Sequence, residues 1–406
     1  MHKIERLLQT LAPKGVEFRK LGEVCEILDN RRIPIAKNKR NPGIYPYYGA
    51  NGIQDYIDSY IFDGDFVLVG EDGSVINKDN TPVVNWASGK IWVNNHAHVL
   101  QTKNELKLKF LYFYLQTIDV SYCVAGTPPK INQENLKKIT IPIPPLEIQQ
   151  EIVKILDAFT ELNTELNTEL NARKKQYQYY QNMLLDFNDI NQSHKDAKMS
   201  AKPYPKRLKT LLQTLAPKGV EFRKLGEVCE ILDNRRIPIA KNKRNPGIYP
   251  YYGANGIQDY IDSYIFDGDF VLVGEDGSVI NKDNTPVVNW ASGKIWVNNH
   301  AHVLQTKNEL KLKFLYFYLQ TIDVSYCVAG TPPKINQENL KKITIPIPPL
   351  EIQQEIVKIL DQFSLLTTDL LAGIPAEIKA RKKQYEYYRE KLLTFKPLTP
   401  HKEVKK

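Results

Sequence analysis

The chain has 406 residues, of which 42% are hydrophobic and 25% charged, with 55 Lys and Arg against 46 Asp and Glu. This composition is typical of a globular protein and excludes a disordered chain, a collagen-like chain and a disulfide-rich miniature scaffold. No apolar run approaches the roughly 18 to 20 residues of a membrane span, so we expect no membrane association and a cytoplasmic location. The 4 cysteines, at positions 25, 123, 229 and 327, form no C-x-x-C pair and are predicted to be buried free thiols.

One long stretch of sequence occurs twice. Residues 7–157 return without a single change as residues 211–361. This repeat is far longer than the roughly 20 to 50 residues of a solenoid unit, so each copy must be a domain with its own core. Each copy holds 17 basic and 17 acidic residues, which places the whole net charge of +9 in the flanking and connecting segments. A basic protein suits a polyanionic partner, although this excess charge lies outside the repeated domain.

Within each copy, strands are predicted first and a helix later. From Val16 to Ile143 the sequence is aromatic and β-branched and is interrupted by Gly, Pro and Asn, which predicts short strands and turns. A helix is predicted over Leu106–Gln116, and an extended segment over Ile141–Pro145, where prolines exclude a helix. We therefore predict an α/β (α+β) fold with two mixed, β-rich domains.

After Pro145 the pattern changes to that of a helix of about 40 residues, from Glu147 to Phe187. The tetrapeptide Thr160-Glu161-Leu162-Asn163 occurs three times in tandem within it and is a stutter in the heptad count. Pro375 is expected to kink the corresponding helix of the second copy. Heptad spacing predicts that the two helices pair, through Ile148, Ile152, Ile155, Phe159, Leu162 and Leu166 in the first and Ile352, Ile356, Ile359, Phe363, Leu366 and Leu370 in the second.

These patterns predict six consecutive segments. They are a first domain (1–146), a long helix (147–187), a linker (188–210), a second domain (211–350), a second long helix (351–395) and a basic tail (396–406).

The residues at the joints of this arrangement are distinctive. They are Gly126-Thr127-Pro128-Pro129-Lys130-Ile131-Asn132 and Ile141-Pro142-Ile143-Pro144-Pro145-Leu146-Glu147-Ile148-Gln149-Gln150-Glu151-Ile152, with Tyr45-Pro46-Tyr47-Tyr48-Gly49-Ala50-Asn51-Gly52 and Trp92-Val93-Asn94-Asn95-His96 before them. In this order, and over nearly the whole chain, they resemble the DNA-specificity subunit of Type I restriction-modification enzymes. In most such subunits the two recognition domains differ, whereas here they are the same.

The resemblance implies two target-recognition domains held apart by an antiparallel helix pair with approximate twofold symmetry, each reading one half of a split site in double-stranded DNA. It also implies two methyltransferase (M) subunits docked on this chain, with restriction (R) subunits added for cleavage. Such a complex would be an adenine-N6 methyltransferase and an ATP-dependent endonuclease, with S-adenosylmethionine, ATP and Mg in the partner subunits. The expected docking surfaces are Gln149–Ile155 and Gln353–Ile359.

Candidate DNA contacts are the side chains that suit base edges or phosphates. Arg fits guanine and Asn fits adenine in the major groove, while Lys and Arg hold phosphates. The candidates are Arg31, Arg32, Lys37, Lys39, Arg40, Asn51, Lys90, Asn94, Asn95, Lys130 and Asn132 in the first copy, and Arg235, Arg236, Lys241, Lys243, Arg244, Asn255, Lys294, Asn298, Asn299, Lys334 and Asn336 in the second.

Each candidate also has a purely structural interpretation. The basic run from Arg31 to Arg40 could be a solvated face, and Asn51-Gly52 could be only the turn of a hairpin. His96 and His98 are expected to be satisfied, partly buried imidazoles without a metal. Glu71-Asp72 is expected to be a solvent-facing turn and Gly126–Lys130 a rigid loop with Lys130 near a phosphate.

No sequence pattern for catalysis is present. The chain has no phosphate-binding loop, no dinucleotide fingerprint and no Asn-Pro-Pro-aromatic signature of an amino-methyltransferase. We therefore expect a non-catalytic DNA-binding subunit without a cofactor or metal of its own. The alternatives are a bivalent adaptor for another ligand and a free-standing DNA-modifying enzyme.

Overall fold

The computed structural model describes residues 2–73, 75–187, 202–277, 279–368 and 373–398. The chain divides into two compact units. The first unit combines both ends of the chain, Met1–Asn167 and Glu377–Lys406, and the second unit is Thr168–Ala376. Each unit therefore contains one sheet-bearing domain together with a helical segment that follows the other domain in the sequence.

The first half of the chain begins with a helix and ends with a much longer one. Its elements are α1 (His2–Leu11), β1 (Glu17–Lys20), α2 (Leu21–Val24), β2 (Cys25–Ile27), β3 (Pro42–Gly49), β4 (Gly52–Ile57), β5 (Phe62–Gly70), β6 (Val84–Val93), β7 (Ala97–Thr102), α3 (Leu108–Leu115), α4 (Gln133–Lys138), β8 (Thr140–Ile143) and α5 (Leu146–Leu185).

The second half repeats this order. Its elements are α6 (Lys206–Leu215), β9 (Glu221–Lys224), α7 (Leu225–Val228), β10 (Cys229–Ile231), β11 (Pro246–Gly253), β12 (Gly256–Ile261), β13 (Phe266–Gly274), β14 (Val288–Val297), β15 (Ala301–Thr306), α8 (Leu312–Leu319), α9 (Gln337–Lys342), β16 (Thr344–Ile347), α10 (Leu350–Thr368) and α11 (Ile374–Leu393).

Each domain is built on a six-stranded mixed sheet. The strand order is β2-β7-β5-β6-β3-β4 in the first domain and β10-β15-β13-β14-β11-β12 in the second. All neighbouring strands are antiparallel except β3 and β6, which pair in parallel at Tyr47 and Trp92, and their counterparts β11 and β14. A separate two-stranded sheet joins β1 to β8, and likewise β9 to β16. The predicted α/β class is confirmed, and the predicted Leu106–Gln116 helix is present as α3, but the helices α1, α2 and α4 were not predicted.

The central strand of the first sheet is covered on both faces. Val67, Leu68 and Val69 of β5 have no exposed surface. Because successive side chains alternate across a strand, Val67 and Val69 join the core that contains Phe110 of α3. Leu68 points into a second cluster, with Phe62, on the opposite face. The sheet is therefore a rigid layer whose loops project from its ends.

The core of the first unit is completed by the last turns of α11. Leu392 and Leu393 pack in the same buried cluster as Ile148 and Ile152, which lie at the start of α5. Further along α5, the ring of Phe159 lies 6.2 Å from that of Tyr385, which precedes the two leucines in α11. The two helices therefore run in opposite directions within this unit.

The second unit has the same arrangement, with the end of α5 in the place that the end of α11 has in the first unit. Met183, Leu184, Leu185 and Phe187, at and just after the end of α5, are buried in the same cluster as Ile352, Ile356 and Phe314 of the second domain. The ring of Tyr180 stacks on that of Phe363 at 5.2 Å. The end of each long helical segment thus completes the core of the domain that it does not follow in the sequence.

The predicted pairing of the two long helical segments is confirmed, but the residues that meet differ from the predicted seam. Ile148 and Ile152 have no exposed surface and pack in the domain core with Leu392 and Leu393 of α11, not with Ile352 and Ile356. The aromatic residue of each heptad run, Phe159 or Phe363, contacts a tyrosine near the end of the other helical segment. Heptad spacing identified the apolar stripe correctly, but it could not tell a partner helix from a covering sheet domain. Leu370 lies outside the described residues, and the side chain of Leu366 is not described either.

The segments between and after the domains are partly described. Helix α6 begins at Lys206, inside the stretch expected to be a linker, and residues 188–201 lie outside the described part. Pro375 lies in the first turn of α11, a position that needs no backbone donor. Pro397 forms a bridge with Val16, and residues 399–406 of the expected basic tail are not described. Among the described helices, none combines the length and apolarity that a bilayer crossing requires.

Because the end of each long helical segment packs in the domain that it does not follow in the sequence, a mutation at that end should destabilise that other domain. Leu393→Ala should open a cavity in the first unit and cost about 2–5 kcal/mol, so amide hydrogen exchange should accelerate in residues 1–167. Leu185→Ala is the matched variant, because the same residue type is buried at the same place in the second unit. Leu185→Ala should accelerate amide hydrogen exchange in residues 211–350 and leave the exchange rates of the first domain unchanged. If amide hydrogen exchange accelerated only in the domain that precedes the mutated helix in the sequence, the packing of each helix end in the other domain would be contradicted.

Candidate nucleic-acid interface

In each domain, a largely buried group of charged side chains connects the roots of several loops. The Nδ1 atom of His98, on β7, lies 2.6 Å from Oδ2 of Asp29. The Nη1 atom of Arg32 lies 2.6 Å from Oε2 of Glu71, and its Nη2 atom lies 3.4 Å from Oδ2 of Asp29. The Nζ atom of Lys130 lies 3.1 Å from Oε1 of Glu71. We call these five residues the loop-root cluster, because they come from four separate loops and strand ends.

His98 meets acceptors at both ring nitrogens. Its Nδ1 faces the carboxylate of Asp29, and its Nε2 lies 2.7 Å from the carbonyl oxygen of Ile131. Carboxylate and carbonyl oxygens only accept hydrogen bonds, so both nitrogens are satisfied only when each carries a hydrogen. This fully buried histidine is therefore held between Asp29 and Ile131 by contacts at both ring nitrogens.

The carboxylate of Asp29 has partners from several parts of the loop-root cluster and its surroundings. Burial by itself would raise the pKa of its carboxyl, but the hydrogen bond and charge of His98, the charge of Arg32 and the amide of Val99 outweigh burial and hold that pKa below its ordinary value. Gln133 also donates to Oδ2, at 3.3 Å. The carboxylate therefore remains ionised at neutral pH and ties β7 to the turn that carries Arg32.

The same residues resemble a metal site only in part. Ligand atoms of Asp29, Glu71 and His98 lie within 4.8 Å of one another. However, Arg32 and Lys130 already place positive charges on the two carboxylates. A metal ion would have to compete with both, so the chemistry of the group is that of an ion-pair network.

Two expectations about neighbouring residues are corrected by the structure. The turn at Glu71-Asp72 does not simply face solvent, because the side chain of Glu71 is only 13% exposed. Neither histidine is partly buried as expected: the side chain of His96 is 48% exposed and contacts Asp72, whereas His98 is fully buried. The two histidines differ because only His98 lies on β7, whereas His96 lies in the turn before it.

The basic run divides into inward and outward residues. Arg32 is 11% exposed and held in the loop-root cluster, so its guanidinium is not free to reach a base. Arg40 lies over the ring of Tyr47 at 4.0 Å and pairs with Asp55 at 3.3 Å. Arg31, by contrast, is exposed, although it donates to the carbonyl of Ile61. The candidates available to a partner in this loop are therefore Arg31, Lys37 and Lys39.

A second exposed cation lies on the main sheet. Lys90 of β6 has its amine 4.7 Å from the centre of the Tyr60 ring, and that ring lies 5.1 Å from the ring of Tyr45. Aromatic faces next to a cation are common in surfaces that bind nucleic acids. Lys90 therefore remains a candidate contact.

The amide candidates differ in their availability. Asn94 is buried and holds Gln54 and the backbone of His96. Asn132 is exposed, but its side-chain oxygen caps α4 by accepting from the amide of Asn135. Asn51, at the tip of the β3–β4 hairpin, and Asn95 are exposed, so these two can reach a base edge.

Lys130 lies at the base of a closed loop. Backbone hydrogen bonds in both directions join Ala125 to Lys130, and the amide of Gly73 donates to the carbonyl of Pro129. Gly126 has a φ of +82°, which favours glycine. The expected rigid loop is present, but the Lys130 amine is paired with Glu71 even though the side chain is 46% exposed.

The second domain repeats this arrangement closely. Its loop-root cluster consists of Asp233, Arg236, Glu275, His302 and Lys334. Its exposed candidates are Arg235, Lys241, Lys243, Asn255, Lys294 and Asn299, while Arg244, Asn298 and Asn336 have the same structural roles as their counterparts.

Sequence reasoning missed two structurally important residues. Asp29 was not singled out, because an aspartate in a turn is common and gives no signal of its distant partners. Gln149 was assigned to a docking surface, but it is fully buried and bonds to the backbone of Lys107, Glu105 and Pro144. Within the proposed docking stretch Gln149–Ile155, Gln149 and Ile152 are therefore internal anchors of the helix, whereas Gln150 and Lys154 are exposed.

Comparison with known proteins places this geometry in one family. Residues 13–176 and 217–380 both match the Type I restriction modification DNA specificity domain. A putative type I restriction enzyme specificity subunit of Haemophilus influenzae is 35% identical over 405 residues, covering 97% of this chain and 98% of that protein. A type I restriction enzyme specificity subunit of Escherichia coli is 27% identical and covers 98% of both chains.

The fold agrees with a solved structure as well. The S subunit of a type I restriction-modification system from Mycoplasma genitalium has a TM-score of 0.62 at 18% identity, over 93% of this chain and 96% of that one.

Asp29 supports a prediction about pH. Asp29→Asn should lower the free energy of unfolding by roughly 3 kcal/mol at neutral pH, in the range for breaking a buried ion pair. Because the folded-state pKa of Asp29 lies below its unfolded value, its contribution is complete above the ordinary carboxyl range and is lost as pH falls through the folded pKa. The stability gap between wild type and variant should therefore shrink below about pH 4. Chemical denaturation at several pH values measures it.

The exposed Asp63 provides a matched control for this prediction. Asp63→Asn should leave both the stability and its pH dependence close to wild type. A gap for Asp29→Asn that stayed constant from pH 7 to pH 3 would show that the carboxylate charge does not stabilise the fold.

Proposed function

The chain belongs to the type I restriction-modification DNA specificity family, and we propose that its two domains read the two halves of one interrupted, palindromic DNA site. The observation that carries this proposal is the identity of residues 7–157 and 211–361. Identical domains present identical loops, so both should select the same bases. If a twofold axis relates them, the second reads those bases on the opposite strand.

The exposed cations and amides of each domain support DNA as the ligand. Arg31, Lys37, Lys39 and Lys90 can hold phosphates, and Asn51 and Asn95 can reach base edges. The net charge of each repeat copy is zero, so binding depends on where these cations lie and not on the total charge.

We infer that the chain assembles with two M subunits, and with R subunits for cleavage. Support comes from residues outside the exact duplication. Lys174, Lys175 and Tyr179 at the end of α5 return as Lys382, Lys383 and Tyr387 in α11. All are exposed, the two tyrosines by 56% and 58%. Core packing does not explain why exposed residues recur in the two helices. Two equivalent docking surfaces for identical partner subunits would explain it.

Catalysis belongs, in this proposal, to those partners. Adenine-N6 methylation with S-adenosylmethionine, and cleavage with ATP and Mg, would take place in the M and R subunits, while this chain supplies the choice of sequence. The two alternatives make different predictions. A free-standing enzyme would transfer labelled methyl groups or cut DNA by itself, and a bivalent adaptor for another ligand would fail to shift random duplex DNA at low salt.

The methylated motif tests the proposal most economically. Methylome sequencing of cells that express this chain with its M subunit should give an interrupted palindrome. Deleting one Thr-Glu-Leu-Asn unit from α5 shortens the helix by about 6 Å, slightly more than one turn. The deletion should change the spacer and leave the half-site bases unchanged. Unrelated half-sites in the wild type would refute symmetric recognition by the two domains. Altered half-site bases in the deletion variant would refute the claim that the length of the helix sets only the spacing between the half-sites.

Neighbouring arginines provide a second, paired prediction. Arg31→Ala combined with Arg235→Ala should weaken DNA binding at a small cost in stability, because both side chains are exposed and each loses only a ring contact and one backbone hydrogen bond. Loss across all sequences with a shallower salt dependence would indicate phosphate contacts, and relaxed preference at one base pair would indicate guanine contacts. Arg32→Ala combined with Arg236→Ala should instead lower the thermal stability, because it breaks both loop-root clusters. Unchanged affinity and preference in the first pair would exclude Arg31 from the interface.

A further inference from the structure

Ile44 is held in an unusual position for a large apolar side chain. It is 78% exposed, and its counterpart Ile248 is 79% exposed, which makes them the most exposed large hydrophobic residues of the described chain. Scattered exposed apolar residues are normal and carry no argument by themselves. The backbone around Ile44, however, is shaped in a way that forces this exposure.

A β-bulge lifts Ile44 out of the sheet. Both Pro42 and Tyr45 of β3 pair with Ile57 of the edge strand β4, which leaves Gly43 and Ile44 without partners. Gly43 passes so close to β4 that an added Cβ would lie 2.3 Å from the carbonyl carbon of Ile57, a clash that only glycine avoids. Bulges often re-aim a side chain at a functional site, and this one directs Ile44 toward solvent.

The chain before the bulge is fixed against the same strands. Arg40 pairs with Asp55 of β4 and lies over the ring of Tyr47. Asn41 donates to the Asp58 carboxylate at 3.1 Å, and its carbonyl accepts from the Asp58 amide. The segment that leads to Ile44 is therefore anchored at consecutive residues and does not rely on Ile44 for its position.

The same segment carries free positive charge. Lys37 and Lys39 are exposed and form no ion pair with another described residue. An apolar side chain preceded by two unpaired amines suits a polyanion with apolar features between its charges, and duplex DNA has this character. A hydrocarbon side chain cannot hydrogen-bond a base edge, so the one group in the major groove that it can distinguish is the methyl group of thymine.

We propose that Ile44 and Ile248 contact the 5-methyl group of a thymine, one in each half-site, and so help to determine the sequence that the protein selects. The inference rests on the proposed function, because it assigns a specificity role within the DNA-reading domains. The lysines at 37 and 39 would hold the adjoining phosphates.

The test replaces thymine by deoxyuridine, which removes only the methyl group. The complex of the full chain with its M subunits is titrated with duplexes that carry its methylated motif, with each half-site thymine replaced in turn. Burying one methyl group is worth roughly a fourfold change in affinity. Wild type should lose about that factor at one thymine in each half-site. Because a palindromic site can bind in either orientation, the variants are compared on duplexes substituted in both half-sites. There wild type should lose about that factor twice over, Ile44→Ala once, and Ile44→Ala with Ile248→Ala not at all.

The duplication supplies an internal control, since the unchanged domain reports on the integrity of the complex in the single variant. Ile53→Ala is a matched control, because Ile53 is an exposed isoleucine on the neighbouring strand β4, and it should keep the wild-type response. The proposal is overturned if no thymine is sensitive, if half-sites contain no A·T pair, or if Ile44→Ala loses as much affinity as wild type on the duplex substituted in both half-sites. Absence of any sequence-selective binding by the wild-type complex would overturn the proposed function together with this inference.

Discussion

The structure depends on the burial of apolar side chains at the ends of the long helices. Leu392 and Leu393 belong to the core of the first domain, although the whole second domain separates them from it in the sequence, and Leu184 and Leu185 belong to the core of the second. Each fully buried leucine contributes about 1.5 to 3 kcal/mol. Neither sheet-bearing domain is therefore complete within its own copy of the repeat, and each of the two units includes a helix end from the other half of the sequence.

A second constraint acts within each domain, at the loop-root cluster. Asp29, Arg32, Glu71, His98 and Lys130 bring loops from distant parts of the sequence to fixed positions through charge-assisted hydrogen bonds. Two arginines adjacent in sequence thus have opposite roles, since Arg31 is exposed while Arg32 supports the loops from within. The exposed residues that we propose for DNA contact lie on backbone held by such internal contacts, which is the condition for precise recognition.

Much of this fold was predictable from the sequence, but the pairing of distant segments was not. The repeat, the α/β class, the helix at Leu108–Leu115 and the long helix after Pro145 followed from composition and periodicity. The stripe containing Ile148 was recognised, but its burial in the domain was not, because an apolar stripe does not identify what covers it. Asp29 was missed for the same reason, since its partners His98 and Gln133 lie about 70 and 104 residues away. The bulge at Ile44 depends on strand register, which local sequence does not encode.

The central claim is that two identical domains, each completed by a helix end from the other half of the chain, read one DNA site symmetrically. Hydroxyl-radical footprinting of the assembled complex on its modification site tests this most directly, because it reports every protected sugar on both strands. The account predicts two protected patches of equal extent, related by a dyad through the middle of the spacer. A single patch, or two patches of different extent on the two half-sites, would contradict it.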